Sequence, residues 1–313
     1  MAVVASKDPM EFILTGLGNW APAWELIRAG VKEAEKCGFW GAVFPDQYMW
    51  DLKDLGVESY ENIDLTLDTW MQLGHLAAET RKIHLGTWVT PIPLRPPGIL
   101  AKIVSTLDVL SGGRALLGVG AGSTRRFFEG YSQWDLPNVR VDKTREGIEL
   151  ILELWHEKKT DYDGSYYRAQ GAVLEPKPVQ KPHPPLLFGG AGRRMLKLAG
   201  RYADICYIPP WGRVPVEESR KLVSAEAKIH GREDDISFAD AYTQLGPDQS
   251  YNRELYMKEV QKASSKGFTY FVTAFNLDVA PWEVNESTLQ RVTESYLSTL
   301  HDFSETIMPR FLS

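Results

Sequence analysis

Short apolar runs bounded by glycine, proline and polar residues alternate along this chain with longer segments whose apolar positions recur every three to four residues. The short runs read as strands buried on both faces, and the longer segments as helices with one face against a core. Residues 12–18 form the first run, and residues 23–37 follow with Leu26, Ile27, Gly30, Val31 and Ala34 at helical spacing. Residues 41–46 are a second strand, after which Asp64 caps a helix whose face carries Leu67, Trp70, Met71, Gly74 and Ala77. Residues 83–90 are a third strand. Pro96 and Pro97 then open a helix with Ile99, Leu100, Ile103, Val104, Leu107 and Leu110 on its buried stripe.

The stretch LSGGRALLGVGAGS, residues 110–123, holds the fourth strand in its apolar positions 115–119. Gly118, Gly120 and Gly122 alternate at its carboxyl end. Missing Cβ atoms there either let a flat or phosphorylated ligand approach the backbone or relieve crowding inside a barrel. Residues 123–185 break the rhythm as a long insertion, with a helix over 143–155 and a hairpin signal at Asp163-Gly164. Alternation resumes with strands at 186–190, 204–209, 236–243 and 270–275 and helices at 193–201, 216–230, 254–265 and 287–303. The repeat predicts an α/β fold, a TIM (β/α)8 barrel forming one domain over residues 1–313, with a large insertion after strand four. A doubly wound open sheet is the alternative, but no GxGxxG follows the first strand.

Composition changes this picture little. The chain has 313 residues, 43% apolar and 24% charged, as an ordinary globular protein does. Its formal charge of −6 is spread without a basic block, which argues against a nucleic-acid partner. No stretch approaches the length of a membrane span, and the start reaches Lys7 and Asp8 without a long apolar region, so neither a membrane association nor an export signal is expected. Cys37 and Cys206, without a CxxC or a histidine close by in sequence, read as reduced thiols of a cytoplasmic protein.

The active site of such a barrel lies at the carboxyl ends of its strands. His75, His84, His156, His183, His230 and His301 fall on helices, at the opposite face or in a proline-rich loop, so no metal site is expected. The paired glutamates of a retaining glycosidase are missing as well. Asp46 is the strand-end carboxylate, and turn formation or helix capping would also account for it. Otherwise the strand ends offer Gly18, Asn19, Trp20, Thr87, Trp88, residues 118–123, Gly189 and Gly190. That set suits a flat ring system, with the hard chemistry left to a cofactor.

Several motifs in fixed order sharpen this. LGTWVTPIPLRPP at 85–97, LSGGRALLGVGAGS, DYDGSYYR at 161–168, LEPKPVQKPHPPLLFGGAG at 174–192 and LAGRYADI at 198–205 resemble the luciferase-like superfamily of flavin and deazaflavin oxidoreductases, most of all its coenzyme F420-dependent branch. The resemblance spans residues 12–210 strongly. It implies a cofactor ring at the barrel mouth, against a bulge ending strand three with a non-prolyl cis peptide at Trp88-Val89. Thr87, Trp88, Val89, Gly120, Ala121, Gly122, Ser123, Gly189, Gly190 and Ala191 would line the cofactor. Lys197 aligns with a position that binds substrate phosphate in the family's sugar-phosphate enzyme. A homodimer acting on a small molecule is also implied.

The departures bear on mechanism. Many family members end the second strand in Asp-His, whereas this chain has Asp46 and Gln47, and glutamine exchanges no proton at neutral pH. Ser123 replaces a glutamate acid of the sugar-phosphate enzyme. An activated C=C or C=N acceptor needs less help from the protein, with Asp46 and Gln47 polarising it and Tyr48 and Trp50 shaping its pocket. The expected activity is hydride transfer between C5 of F420 and a small organic substrate. An FMN-dependent monooxygenase and a flavin-binding barrel without turnover are the alternatives.

Overall fold

The computed structural model describes residues 9–56, 58–59, 61–243 and 250–312, so Lys7 and Asp8 lie outside the described residues. Eight parallel strands close a ring: Glu11–Leu14, Gly41–Phe44, His84–Thr87, Ala115–Gly120, Leu186–Gly189, Ile205–Tyr207, Ser237–Thr243 and Tyr270–Ala274. Each pairs with its neighbours in the chain, and the eighth returns to the first through Glu11↔Tyr270, so the ring has no open edge. The barrel is a TIM barrel, as the alternation predicts.

Alternation of side chains along each strand builds two apolar layers. Ile13, Val43, Leu116, Leu187, Ile205 and Val272 point inward and fill the barrel. Their neighbours Phe12, Leu14, Ala42, Phe44, Leu117 and Val119 point outward beneath the helices. Both sets are buried, which explains why the strands read as continuous apolar runs. At the amino-terminal pole the rings of Trp40 and His84 stack with centroids 4.1 Å apart, closing the end away from the mouth.

Three expectations need correcting. The helix Pro137–His156 lies inside the supposed insertion, yet it packs against the helix Pro97–Ser111 and serves as the barrel's own fourth helix. The additions are therefore a short helix before it, Arg125–Tyr131, and a hairpin after it, Thr160–Asp163 with Arg168–Ala172. Asp64 is not a cap; Asp68 caps the helix Thr69–Glu79 by accepting from the Met71 amide at 2.9 Å, and Asp64 instead pairs with Arg126. Met71, Ile99 and Leu110 are 76%, 58% and 70% exposed, because each helix buries only the stripe that meets strands and neighbouring helices. Among the described residues, no helix is long and apolar enough to cross a membrane.

Leu117 tests the outward layer. Leu117→Ala should cost about 2–5 kcal/mol through the cavity left under the helices, and Leu117→Asp should abolish the cooperative transition by burying an unpaired charge. Urea denaturation followed by circular dichroism measures both, and an unchanged midpoint for either would place Leu117 outside the core.

Candidate functional site at the carboxyl ends of the strands

Strand three carries one residue more than its partner. Gly86 pairs with Leu116 and Thr90 with Val119, so four steps along one strand match three along the other. The result is a β-bulge at Trp88 and Val89, and the peptide joining these two residues is cis. The neighbouring glycines make room for it. A Cβ on Gly118 would stand 1.9 Å from the Thr87 carbonyl oxygen, one on Gly120 2.5 Å from Val89 Cγ2, and one on Gly189 3.2 Å from Val89 Cγ1. A Cβ on Gly122 would stand 2.3 Å from the Phe128 ring. The alternating glycines of strand four thus relieve crowding within the protein, one of the two readings their spacing allowed. Thr87 is fully buried and its hydroxyl accepts from the Gly118 amide at 3.1 Å, so it braces the bulge from beneath and does not face the mouth. The Trp88 ring rests on Tyr207 with centroids 4.7 Å apart.

Behind the bulge lies Asp46, with no side-chain exposure. Its carboxylate accepts from Trp70 Nε1 at 3.0 Å, from Thr90 Oγ1 at 2.8 Å and from both terminal nitrogens of Arg95, one of them at 3.0 Å. Arg95 also donates to the Tyr48 hydroxyl at 2.6 Å, which donates to Asp68 at 2.6 Å. Burial, reinforced by the charge of Asp46, raises the Tyr48 pKa, so the phenol keeps its proton at neutral pH. Arg95 escaped the reading of the sequence, although it stands in the TPIPLRPP motif; its signal was an arginine leaving a strand end with an unpaired aspartate upstream.

Gln47 joins two loops: its Nε2 donates to the Met49 carbonyl at 2.9 Å and its Oε1 accepts from Thr124 at 3.4 Å. Buried Asn19 donates to the Gln47 carbonyl at 3.0 Å and to that of Leu67 at 2.8 Å. Trp20 stacks on Trp50, centroids 5.0 Å apart, and Trp282 leans on Trp20 at 5.2 Å. The helix Arg125–Tyr131 covers this side, since Arg126 bonds Asp64 and, at 2.7 Å, the Trp50 carbonyl, while Phe127 and Tyr131 set ring edges against Tyr48. Ser123 is exposed where this helix begins, with Ala121 half-buried before it.

Strand five leads through Gly190 and Ala191 into the helix Arg193–Tyr202, whose Gly192 cap offers no side chain to its first amides. A Cβ on Gly192 would meet nothing within 4 Å. The fold therefore gathers Asp46, Gln47, Tyr48, Trp50, Trp88, Val89, the strand-four glycines and Gly189 around one end of the barrel. Lys197 does not join them: it is exposed on the outer surface, 3.9 Å from Glu226 of the next helix. The six histidines are expected from the sequence to fall badly for metal binding, and among the described residues one of them does meet other groups of metal-ligating type. His301, Glu33 and Cys37 place their ligand atoms within 4.8 Å of one another on the outside of the barrel, because the chain's first and last helices pack side by side.

Fold and strand-end geometry define a TIM-barrel protein with a bulged third strand and a helix-covered mouth. The chain belongs to the luciferase-like family: the profile described as "Luciferase-like monooxygenase" matches residues 10–296. It is 35% identical over 154 residues to an F420-dependent glucose-6-phosphate dehydrogenase of Microbacterium testaceum, covering 49% of this chain and 45% of that protein. Over 223 residues it is 30% identical to the 5,10-methylenetetrahydromethanopterin reductase of Archaeoglobus fulgidus, covering 71% and 60%. The matched region thus spans about half to three-fifths of these relatives. In three dimensions it resembles an F420-dependent secondary alcohol dehydrogenase solved with an F420-acetone adduct, with a TM-score of 0.71, 19% identity and coverage of 93% and 99%.

Removing Arg95 would leave the Asp46 charge buried without its partner. Arg95→Ala should destabilise the protein by about 3–5 kcal/mol, and Thr90→Val, which deletes one hydrogen bond, by about 1–3 kcal/mol. Equal midpoints for wild type and Arg95→Ala in denaturant titrations would show that Asp46 is solvated.

Proposed function

We propose that this chain is an F420-dependent oxidoreductase that transfers hydride between the deazaflavin C5 and a small organic substrate. The observation that carries the reading is the mouth itself: its strand-end carboxylate, Asp46, is fully engaged by Trp70, Thr90 and Arg95. What remains there is the bulge, backbone beside glycines, and the Trp50 and Trp282 rings, with Trp20 buried beneath them. Such a surface binds a flat ring better than it performs acid–base chemistry. The relatives named for F420 support the same cofactor.

These residues fit the group. Val89 would back the ring, with Trp88 resting on Tyr207 beside it, and the uncapped amides after Gly192, next to Gly190 and Ala191, leave room for a phosphate at a helix start. Reduced F420 supplies a hydride when bound. Asp46 positions Arg95, which holds the Tyr48 hydroxyl, so we assign Asp46 a positioning role and Gln47 the bridging of the two loops that shape the substrate pocket. With these acids and phenols engaged, the preferred substrate is an activated C=C or C=N acceptor, which needs only one weak proton donor.

Titration of the protein with F420 and, separately, with FMN, read by cofactor fluorescence, tests this. Selective F420 binding is expected. Gly120→Ala should weaken it about tenfold or more and lower the unfolding midpoint by displacing Val89, and adding Val89→Ala should restore that midpoint. Selective FMN binding would turn the case to the monooxygenase reading. Binding of neither would overturn both.

We further infer a homodimer formed through the helices Thr69–Glu79 and Pro97–Ser111. These helices pack together and expose large apolar side chains, Met71 on the first and Ile99 and Leu110 on the second. The wild type is expected at dimer mass in light scattering, and Ile99→Lys with Leu110→Lys at monomer mass; a monomeric wild type would remove this assignment.

A further inference from the structure

The first barrel helix, Trp24–Lys36, ends with Cys37 as its C-cap, and Glu33 stands one turn earlier on the same face. Facing them, the last helix, Glu286–Thr306, carries His301. His301 Nε2 lies 2.8 Å from Glu33 Oε1, although 268 residues separate the two in the chain. Lys36 holds the other Glu33 oxygen at 2.7 Å and so fixes the carboxylate's orientation. Glu305, one turn beyond His301, is near enough for its charge to bear on the Cys37 thiol. The two helices thus contribute i, i+4 pairs to one spot: Glu33 with Cys37, and His301 with Glu305.

We propose that Glu33, Cys37 and His301 form a zinc-type metal site that staples the first helix of the barrel to the last. Thiolate, imidazole and carboxylate are the donors Zn²⁺ takes in tetrahedral sites, and three protein ligands leave the fourth position to water. Their ligand atoms lie within 4.8 Å of one another, so a small closure of the side chains brings each to the ~2.0–2.3 Å of such bonds. His301 exchanges its contact with Glu33 for the metal, and Cys37 its side-chain hydrogen bond with Ser304. Lys36 acts as the outer group that orients a ligating carboxylate. Two ligand anions balance the dication. Binding replaces the Cys37 S–H bond with an S–metal bond and releases that proton to solvent. About one proton should therefore leave per metal bound. The site stands on the outer surface and owes nothing to the cofactor reading.

The test uses the full chain and Co²⁺, then Zn²⁺. One equivalent of Co²⁺ should give a thiolate-to-cobalt charge-transfer band and tetrahedral visible bands, both removed by Zn²⁺. Zn²⁺ should raise the melting temperature, and calorimetry in buffers of different ionisation enthalpy should report the released proton. Cys37→Ser should abolish the charge-transfer band, His301→Ala should weaken binding about tenfold or more, and Cys206→Ala should leave the band unchanged. With 45% of its side chain exposed, His301 is replaceable without unfolding if Cys37→Ser is not. Absence of a thiolate band at one equivalent, or a band and affinity unaltered in the Cys37 and His301 variants, overturns the proposal.

Discussion

Burial of the Asp46 charge is the constraint on which the mouth of this barrel depends. A carboxylate removed from water must be matched where it lies. Here it draws in Trp70 from the second helix, Thr90 from the far side of the bulge and Arg95 from the loop beyond. One side chain at the end of strand two therefore sets the path of the chain after strand three. Through Arg95 it also holds Tyr48, against which the covering helix packs.

The second constraint is steric. An extra residue in strand three has to go somewhere, and the closed ring leaves only the mouth. Glycines at 118, 120 and 189 are what allow Thr87 and Val89 to approach the adjoining strands. Their alternation was plain in the sequence, as was the resemblance that placed the cis peptide at Trp88-Val89. What they make room for was not. A glycine announces that something comes close, and only the register of strands three and four says that it is the protein's own bulge.

Element type was easily read because double-sided burial and helical periodicity are local signals. Arg95 went unassigned because its partner lies 49 residues away. Asp64 reads as a cap in a polar loop, but it is Asp68, four residues on, that accepts from the Met71 amide. Ile99 and Leu110 fit a helical stripe as well as Leu100 and Leu107 do, but burial depends on where neighbouring helices stand. The helix Pro137–His156 looked like part of an insertion because a lid helix and a hairpin flank it and blur the repeat.

The sequence by itself determined the order of the eight barrel strands and the alternation of helices between them, and hence the barrel. Each strand is a run of apolar residues that must be covered on both faces, and eight such runs joined by amphipathic helices have a ring as their natural closure. It also determined which glycines are unusual and which aspartate ends strand two. Tertiary structure decided what those residues do: that Asp46 is locked and not free, that Gly120 makes way for Val89, that Lys197 faces outward, and that Glu33, Cys37 and His301 meet. The physical reason is closure. Bringing the first and last elements side by side creates neighbours from opposite ends of the chain, and no local pattern records such a contact.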